Sequence, residues 1–211
     1  MIGGSAEALE LRVEDDVVLE AELAMPEGEL RAAVVLCHPH PLYGGSMRSI
    51  VISELFRVLP ARGVVCLRFN FRGVERSTGA HDEGRGERAD ARAAIDALVQ
   101  AVPTETPVVL AGWSFGGDVA LSVHDERLGA WLVVAPPLRF AETGPLADDP
   151  RPKHFVLAEH DEYRAPAEVA VAVESWRATT LEVVAGASHF FVGRTDAVVA
   201  AADRLIDRVA R

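Results

Sequence analysis

Residues 108–121 read VVLAGWSFGGDVAL, and their pattern is the strongest indication of the fold in the sequence. It joins a short apolar run to an amphipathic one through the pattern Gly-x-Ser-x-Gly, with Ser114 at its centre. A sharp turn from a strand into a helix needs glycines beside the serine, because neighbouring backbone passes too close for a Cβ atom. Such a turn strains the serine and holds its hydroxyl out of the sheet. We therefore predict that Ser114 is a nucleophile, in preference to a glycine turn that only packs a helix on a strand.

The rest of the chain alternates between apolar runs and amphipathic stretches. Besides residues 107–113, the apolar runs predicted as parallel strands are 32–36, 64–69, 130–134, 154–158 and 181–184. The predicted helices are residues 45–62, 86–101, 115–124, 165–177 and 195–211, and the Pro-rich residues 135–152 are predicted as a loop. Strands that are apolar on both faces and alternate with helices favour a parallel sheet covered on both sides. The predicted fold class is therefore α/β.

The N-terminal part has a different pattern. Residues 8–13 and 17–23 alternate between apolar and polar side chains, with the acidic residues Glu14, Asp15 and Asp16 between them. Alternation with a period of two is typical of half-buried strands, and a short polar turn joins antiparallel neighbours. We predict a β-hairpin before the first parallel strand.

Composition and charge limit the classes of function. The 211 residues are 49% hydrophobic, which suits one domain, residues 1–211, with a sizeable core. The net charge of -11, with basic residues scattered among acidic ones, argues against nucleic acid as a partner. No run approaches the roughly 20 apolar residues of a membrane span, and the N-terminus does not resemble a signal peptide. We expect a cytoplasmic protein that does not bind membranes, with Cys37 and Cys66 as buried free thiols.

The general base and the acid are expected in loops after later strands, in the order serine, acid, histidine. His189 lies past the last predicted strand in a small-residue loop, and a nucleophilic serine needs such a base near neutral pH. The acid is expected after residues 154–158, where Glu159, Asp161 and Glu162 compete. Asp161 is preferred because it lies beyond the strand end, where a short carboxylate can turn toward Nδ1 of the histidine. Glu159 and Glu162 stay open as alternatives.

An oxyanion hole needs two backbone N–H donors, one from the loop after strand 32–36 and one from Phe115, the residue after the nucleophile. That loop reads CHPHPLYGG at residues 37–45. Proline carries no N–H, so His40 is the predicted second donor and Leu42 is the fallback. The alternative without a function is that this Pro-rich loop only makes a rigid exit from the strand. Two histidines without a matching set of carboxylate or cysteine ligands do not predict a metal site. No cofactor is required.

Together these motifs resemble the α/β-hydrolase superfamily and, within it, small, lid-poor bacterial serine hydrolases of the dienelactone-hydrolase and serine-esterase kind. The resemblance spans nearly the whole chain and rests on HPHP at 38–41 with Gly44 and Gly45, NFRG at 70–73 with Ser77 and Gly79, GWSFGG at 112–117, Asp161, and SHFF at 188–191. Glu75 departs from the pattern, because relatives of this type usually carry glycine at that position of the loop.

The resemblance implies an eight-stranded, mostly parallel sheet with a minimal lid, and hydrolysis of an ester, thioester or amide through an acyl-enzyme. An open site made of short loops favours small or extended acyl substrates. Leu42, Tyr43, Trp113 and Pro136 are the candidates to line it, and for Trp113 core packing is an equal alternative. Acyl transfer to another acceptor would use the same residues, and a non-catalytic binding protein would keep the fold alone. An exposed apolar patch would favour a homodimer.

Overall fold

The computed structural model describes residues 6–14, 16–26 and 28–210, and its strands follow the predicted alternation. The strands are β1 (Glu7–Glu14), β2 (Val17–Ala24), β3 (Ala32–Cys37), β4 (Val64–Phe69), β5 (Val108–Trp113), β6 (Leu128–Val134), β7 (Lys153–His160) and β8 (Thr179–Ser188). Every predicted strand is confirmed, and β8 extends well beyond its predicted ends. Residues 1–5, the turn residue Asp15 and the predicted helix end at Arg211 lie outside the described ranges.

In the described residues these strands form one eight-stranded sheet in the order β1-β2-β4-β3-β5-β6-β7-β8. β3 to β8 run parallel, while β2 pairs antiparallel with both β1 and β4. The predicted hairpin and the predicted α/β class are confirmed. β3, β4 and β5 are buried along their whole length, which explains why their sequences are apolar without alternation.

The described residues form five α-helices: α1 (Ile50–Val58), α2 (Arg85–Ala101), α3 (Phe115–Leu121), α4 (Pro166–Ala172) and α5 (Thr195–Val209). The first four connect parallel strands, and α5 follows β8. The predicted helix 45–62 is wrong at both ends. At its start, the Gly45 N–H bonds to the carbonyl of His40 in a turn, and α1 begins only after Ser49. At its end, Pro60 interrupts the α-helical hydrogen bonds, and Leu59–Arg62 form a 3₁₀ turn. α3 and α4 also end earlier than predicted.

The core has two layers, one on each face of the sheet. α2, α3 and α4 cover one face, where Ile95 of α2 and Val119 of α3 belong to the same buried cluster as Leu110 of β5. α1 and α5 pack side by side over the other face and bury Ile52 and Leu205. Both layers leave the carboxyl ends of the parallel strands at one edge of the sheet. Loops that follow different strands therefore meet there, as is usual for sites in α/β proteins.

The remaining general expectations concern thiols and membranes. Cys37 and Cys66 are free and buried, as predicted. Burial raises the pKa of both thiols, so neither supplies a thiolate near neutral pH. Within the described ranges, no helix combines the length and the apolar character that a bilayer span requires.

Candidate active site

The Gly-x-Ser-x-Gly turn lies between β5 and α3. Ser114 has φ 55° and ψ -121°, a strained conformation for a residue other than glycine. A Cβ atom at Gly112 would lie 2.0 Å from the Gly116 carbonyl oxygen, and one at Gly116 would lie 2.2 Å from the Cys37 carbonyl oxygen. Larger residues therefore cannot replace either glycine without moving backbone. The turn leaves the Ser114 side chain half-buried at the edge of a cleft.

Ser114 lies at the end of a chain of hydrogen bonds. Nε2 of His189 lies 2.9 Å from Oγ of Ser114, and Nδ1 of His189 lies 3.0 and 2.9 Å from Oδ1 and Oδ2 of Asp161. The imidazole and the carboxylate are almost fully buried, with 5% and 4% of each side chain exposed. An ionised carboxylate only accepts hydrogen bonds, so Nδ1 carries the proton and Nε2 is left to accept from the serine hydroxyl.

The carboxylates that flank Asp161 have other partners. Oε2 of Glu159 accepts the N–H of Gly186 at 2.7 Å, and Oε2 of Glu162 accepts the N–H of His189 at 3.3 Å. Asp161 also accepts two N–H groups of its own loop, which fix its orientation. Among the described carboxylates, Asp161 is therefore the one that contacts the imidazole of His189.

The loop after β3 lies beside the serine turn, with the ring centroids of His40 and Phe115 4.9 Å apart. Within the described part of the chain, the N–H groups of His40 and Phe115 have no protein acceptor. The N–H of Leu42, by contrast, donates to Nδ1 of His40 at 3.3 Å. The N–H groups of the two predicted donors are thus unpaired, whereas the N–H of the fallback residue, Leu42, is already hydrogen-bonded.

His38 is fully buried and bonds to backbone through both ring nitrogens. Nε2 accepts the N–H of Phe71 at 3.0 Å, and Nδ1 lies 2.6 Å from the carbonyl oxygen of Pro39. Burial lowers the pKa of His38 to about 3, so the ring is neutral and Nδ1 carries the proton. His38 therefore fixes the start of the loop. Across the described ranges, no three His, Cys, Asp or Glu side chains are grouped so as to hold a metal ion.

A cluster of rings packs behind the same loop. The centroids of His40, His81, Phe115 and Phe140 lie between 4.8 and 5.4 Å apart in the contacting pairs. Nδ1 of His81 lies 2.7 Å from Oε1 of the buried Glu87. Burial, followed by the nearby His81, lowers the pKa of His40. Nδ1 of His40 can accept a hydrogen bond only when the ring is neutral, in agreement with this direction. The same cluster packs around His40 and Phe115, the two residues whose N–H groups are unpaired.

The loop after β4 supports the loop after β3. Oδ1 of Asn70 accepts the N–H of Met47 at 2.8 Å, and Nδ2 of Asn70 donates to Glu20 and Glu75. Glu75 has φ 48°, in the left-handed region that glycine adopts at low cost. This explains why glycine suits the position. The glutamate adopts this conformation here and adds a contact to Asn70.

An open cleft of about 270 Å³ lies over the serine and the histidine. Of the residues predicted to line it, Tyr43 and Trp113 do so, whereas Leu42 and Pro136 lie outside its lining. Trp113 combines both roles considered for it, because it is only 3% exposed yet forms part of the cleft wall. Its Nε1–H also donates to the carbonyl oxygen of His189 at 3.1 Å.

Sequence reasoning missed three other apolar residues of the cleft wall. Tyr163, Phe190 and Ile50 line it and are all at least two-fifths exposed. Phe190 directly follows the candidate base, and Tyr163 lies two residues after the candidate acid. That adjacency was the signal available in the sequence, because residues next to a catalytic loop position reach the same cleft.

Residues 30–211 match the family profile described as Alpha/beta hydrolase domain. The chain belongs to the α/β-hydrolase family. The match covers all six of the predicted parallel strands and the five predicted helices, so the suspected superfamily is confirmed.

Similar proteins support the assignment to the α/β-hydrolase family. An uncharacterized protein of Rickettsia prowazekii is 33% identical over 175 residues, which cover 78% of this chain and 73% of that protein. A structure described as an alpha-beta serine hydrolase homologue from Coxiella burnetii has a TM-score of 0.84 at 30% identity and covers 99% of both chains. A serine hydrolase without lid from Xanthomonas campestris has a TM-score of 0.82 at 26% identity, over 99% of this chain and 96% of that chain. The predicted fold with a minimal lid is confirmed.

Proposed function

We propose that this α/β-hydrolase cleaves a carboxylic ester, or a related thioester or amide, through an acyl-enzyme on Ser114. The observation that carries the proposal is the chain of hydrogen bonds from Asp161 through His189 to the Oγ atom of Ser114. The strained turn that places the serine at the edge of the cleft and the similarity to proteins described as serine hydrolases support it. Asp161 is proposed as the acid that orients His189, and His189 as the general base.

The mechanism uses only groups of this chain and water. His189 takes the proton of Ser114 as Oγ attacks the substrate carbonyl, and negative charge gathers on the carbonyl oxygen. The N–H groups of His40 and Phe115 are the proposed donors to that oxygen, because neither has a protein acceptor in the described residues. His189 then gives its proton to the leaving oxygen, and the alcohol departs. Water attacks the acyl-enzyme with His189 again as base, which releases the acid and restores the serine. No step requires a cofactor.

We assign contact with the substrate to the cleft wall, in which Tyr43 and Trp113 belong to the predicted set. The short loops around the cleft suit a small-molecule acyl substrate. The assignment leaves Leu42 and Pro136 without a role in binding.

Hydrolysis of methyl acetate, followed by acid release at constant pH, tests this function. Ser114→Ala and His189→Gln should each lower kcat by roughly 10⁴-fold or more. Ser175→Ala and His160→Gln are the matched controls, since both residues are exposed and lie outside the cleft, and they should keep wild-type rates. A folded wild type that hydrolyses no ester, thioester or amide would contradict the proposal and favour a non-catalytic binding protein.

A further inference from the structure

Two aromatic side chains flank His189 at the mouth of the cleft without being buried. Tyr163 is 52% exposed and Phe190 is 45% exposed. Their ring centroids lie 4.4 and 5.6 Å from that of His189, and 6.4 Å from each other at an interplanar angle of 79°. Half-exposed rings grouped beside a candidate nucleophile are typical of a surface that a ligand covers.

The position of these rings relates them to one part of an ester. In the proposed mechanism, His189 donates a proton to the leaving oxygen, so the leaving alcohol must lie against the imidazole. Tyr163 and Phe190 contact that same imidazole, whereas the ring of Tyr43 packs on His40, 4.8 Å between centroids. The alcohol part of the substrate therefore meets Tyr163 and Phe190.

Charge limits which alcohol fits. None of the described residues that line the cleft is a lysine, arginine, aspartate or glutamate. Behind the lining, the carboxylates of Asp161 and Glu162 both bind His189, and the chain has a net charge of -11. An anionic alcohol would lose water there without gaining a partner and would meet a negative potential.

Size limits it as well. The cleft has a volume of about 270 Å³. A cavity of roughly 150 Å³ holds one benzene molecule, so the cleft has room for one ring together with a short acyl group. A larger alcohol would have to extend into solvent.

We propose that the protein prefers uncharged esters of aromatic alcohols, with the alcohol ring held by Tyr163 and Phe190 and a short acyl group on Ser114. This preference rests on the proposed hydrolase function. Contacts between aromatic rings add attraction beyond the area they bury, and a saturated ring of equal size does not receive it. The selectivity should therefore follow aromatic character and not bulk alone.

Four esters test the preference. Methyl acetate measures turnover without a ring, and benzyl acetate and cyclohexylmethyl acetate differ in aromatic character at nearly equal size. Methyl phenylacetate is an isomer of benzyl acetate with the ring on the acyl side. We expect kcat/KM for benzyl acetate to exceed that for cyclohexylmethyl acetate and for methyl phenylacetate by about three- to tenfold. A carboxylate on the benzyl ring should reverse the preference.

Substitutions at Tyr163 test whether the aromatic side chains cause the preference for benzyl acetate. Tyr163→Leu should lower the ratio of benzyl to cyclohexylmethyl acetate, because only Phe190 then offers a ring. Tyr163→Phe should keep the ratio, because the ring and not the hydroxyl makes the contact. Val171→Ala is the control, since Val171 is 75% exposed and lies outside the cleft; it should leave the ratio unchanged.

The outcomes separate this inference from the proposed function. Turnover of all the esters without a benzyl preference, or a preference for methyl phenylacetate, would overturn the inference and leave the hydrolase function in place. An unchanged ratio of benzyl to cyclohexylmethyl acetate in Tyr163→Leu would also overturn the inference and leave the hydrolase function in place. No turnover of any of these esters by folded wild type would overturn the inference, and no turnover of thioesters and amides as well would overturn the proposed function.

Discussion

Two regions lie at the same edge of the sheet but are held in different ways. The first region is the loop after β3, residues 38–49. The second region is the pair of loops after β7 and β8, residues 161–165 and 189–194. The first loop is fixed by buried groups, above all His38, which is fully buried and bonds to two backbone groups. The other two loops are joined by two carboxylates: Asp161 contacts the imidazole of His189, and Glu162 accepts the backbone N–H of His189.

This difference matches the chemistry proposed for each region. A backbone N–H donor must stay in place and never change its charge, so prolines, neutral imidazoles and packed rings suit the first loop. A proton carrier changes charge in every cycle, and the carboxylate of Asp161 against the imidazole suits its charged form. Substitutions in the first region should therefore change mainly stability, and substitutions in the second region mainly rate.

The largest effect is expected from Asp161→Asn in the second region. Oδ1 of Asp161 accepts the N–H groups of Tyr163 and Arg164, so the amide nitrogen of asparagine takes the Oδ2 position and directs an N–H at Nδ1 of His189. The imidazole proton then moves to Nε2, which can no longer accept from Ser114. We expect kcat to fall by roughly 10⁴-fold in an ester hydrolysis assay, with little change in the free energy of unfolding.

Glu162→Gln is the matched control for that substitution. Its side-chain oxygen can still accept the N–H of His189, as the glutamate does, and most of the activity should remain. An inactive Glu162→Gln beside an active Asp161→Asn would transfer the proposed role from Asp161 to Glu162.

In the first region the matching test is stability against pH. Burial lowers the pKa of His38 to about 3, whereas histidine in an unfolded chain has a pKa of about 6.5. Between these values the unfolded chain binds a proton that the folded chain excludes, so His38 lowers stability as pH falls from about 6.5 toward 3. Glutamine does not titrate, and its Oε1 can still accept the N–H of Phe71.

Denaturant unfolding of His38→Gln measures this contribution. Between about pH 8 and about pH 5, the variant should lose about 2 kcal/mol less of its free energy of unfolding than the wild type loses. Comparing the two proteins cancels the titration of the carboxylates, which they share. Equal losses would mean that His38 is not a buried neutral histidine.

A smaller effect on kcat is expected from the hydrogen bond that joins the serine turn to the second region. The Nε1–H of Trp113 donates to the carbonyl oxygen of His189, and Trp113→Phe removes that donor while keeping an aromatic ring. We expect kcat to fall by about five- to tenfold, the equivalent of about one hydrogen bond. Trp131→Phe is the control, because its buried Nε1 has no acceptor among the described residues. Equal effects of the two substitutions on kcat would show that the hydrogen bond does not position His189.

The smallest effect concerns the loop that supports the first region. Glu75 has φ 48°, and its carboxylate accepts from Asn70. Glu75→Gly and Glu75→Ala both lose that contact, but only alanine has to hold a side chain in the left-handed region. The glycine variant should be more stable than the alanine variant by about 1 kcal/mol in denaturant unfolding. The reverse order would contradict the described backbone conformation.

The parts of the molecule that could be predicted from sequence have local signals. The turn at Ser114 is marked by its own glycines, and the central strands by apolar runs without alternation. His189 follows from chain order, because parallel strands bring their following loops to one edge. For the acid, chain order limits the choice to Glu159, Asp161 and Glu162. The structure brings Ser114, His189 and Asp161 into one chain of hydrogen bonds.

The parts that could not be predicted depend on contacts between distant segments. The sequence favours Asp161 over Glu159 and Glu162 only by its place beyond the strand end, whereas the different partners of the three carboxylates arise once β8 and its following loop lie beside β7. Similarly, Tyr163 reaches the cleft only because its loop folds onto that of a residue far along the chain. Leu42 and Pro136, next to sequence motifs, do not reach the cleft lining.

The proposed mechanism depends above all on Ser114 being an activated nucleophile. The most direct test is to label the folded protein with a fluorophosphonate probe and to locate the adduct by mass spectrometry. We expect an adduct on Ser114 that is absent in Ser114→Ala and much slower to form in Asp161→Asn. An adduct on a different residue, or no adduct on the folded wild type, would contradict the proposed mechanism.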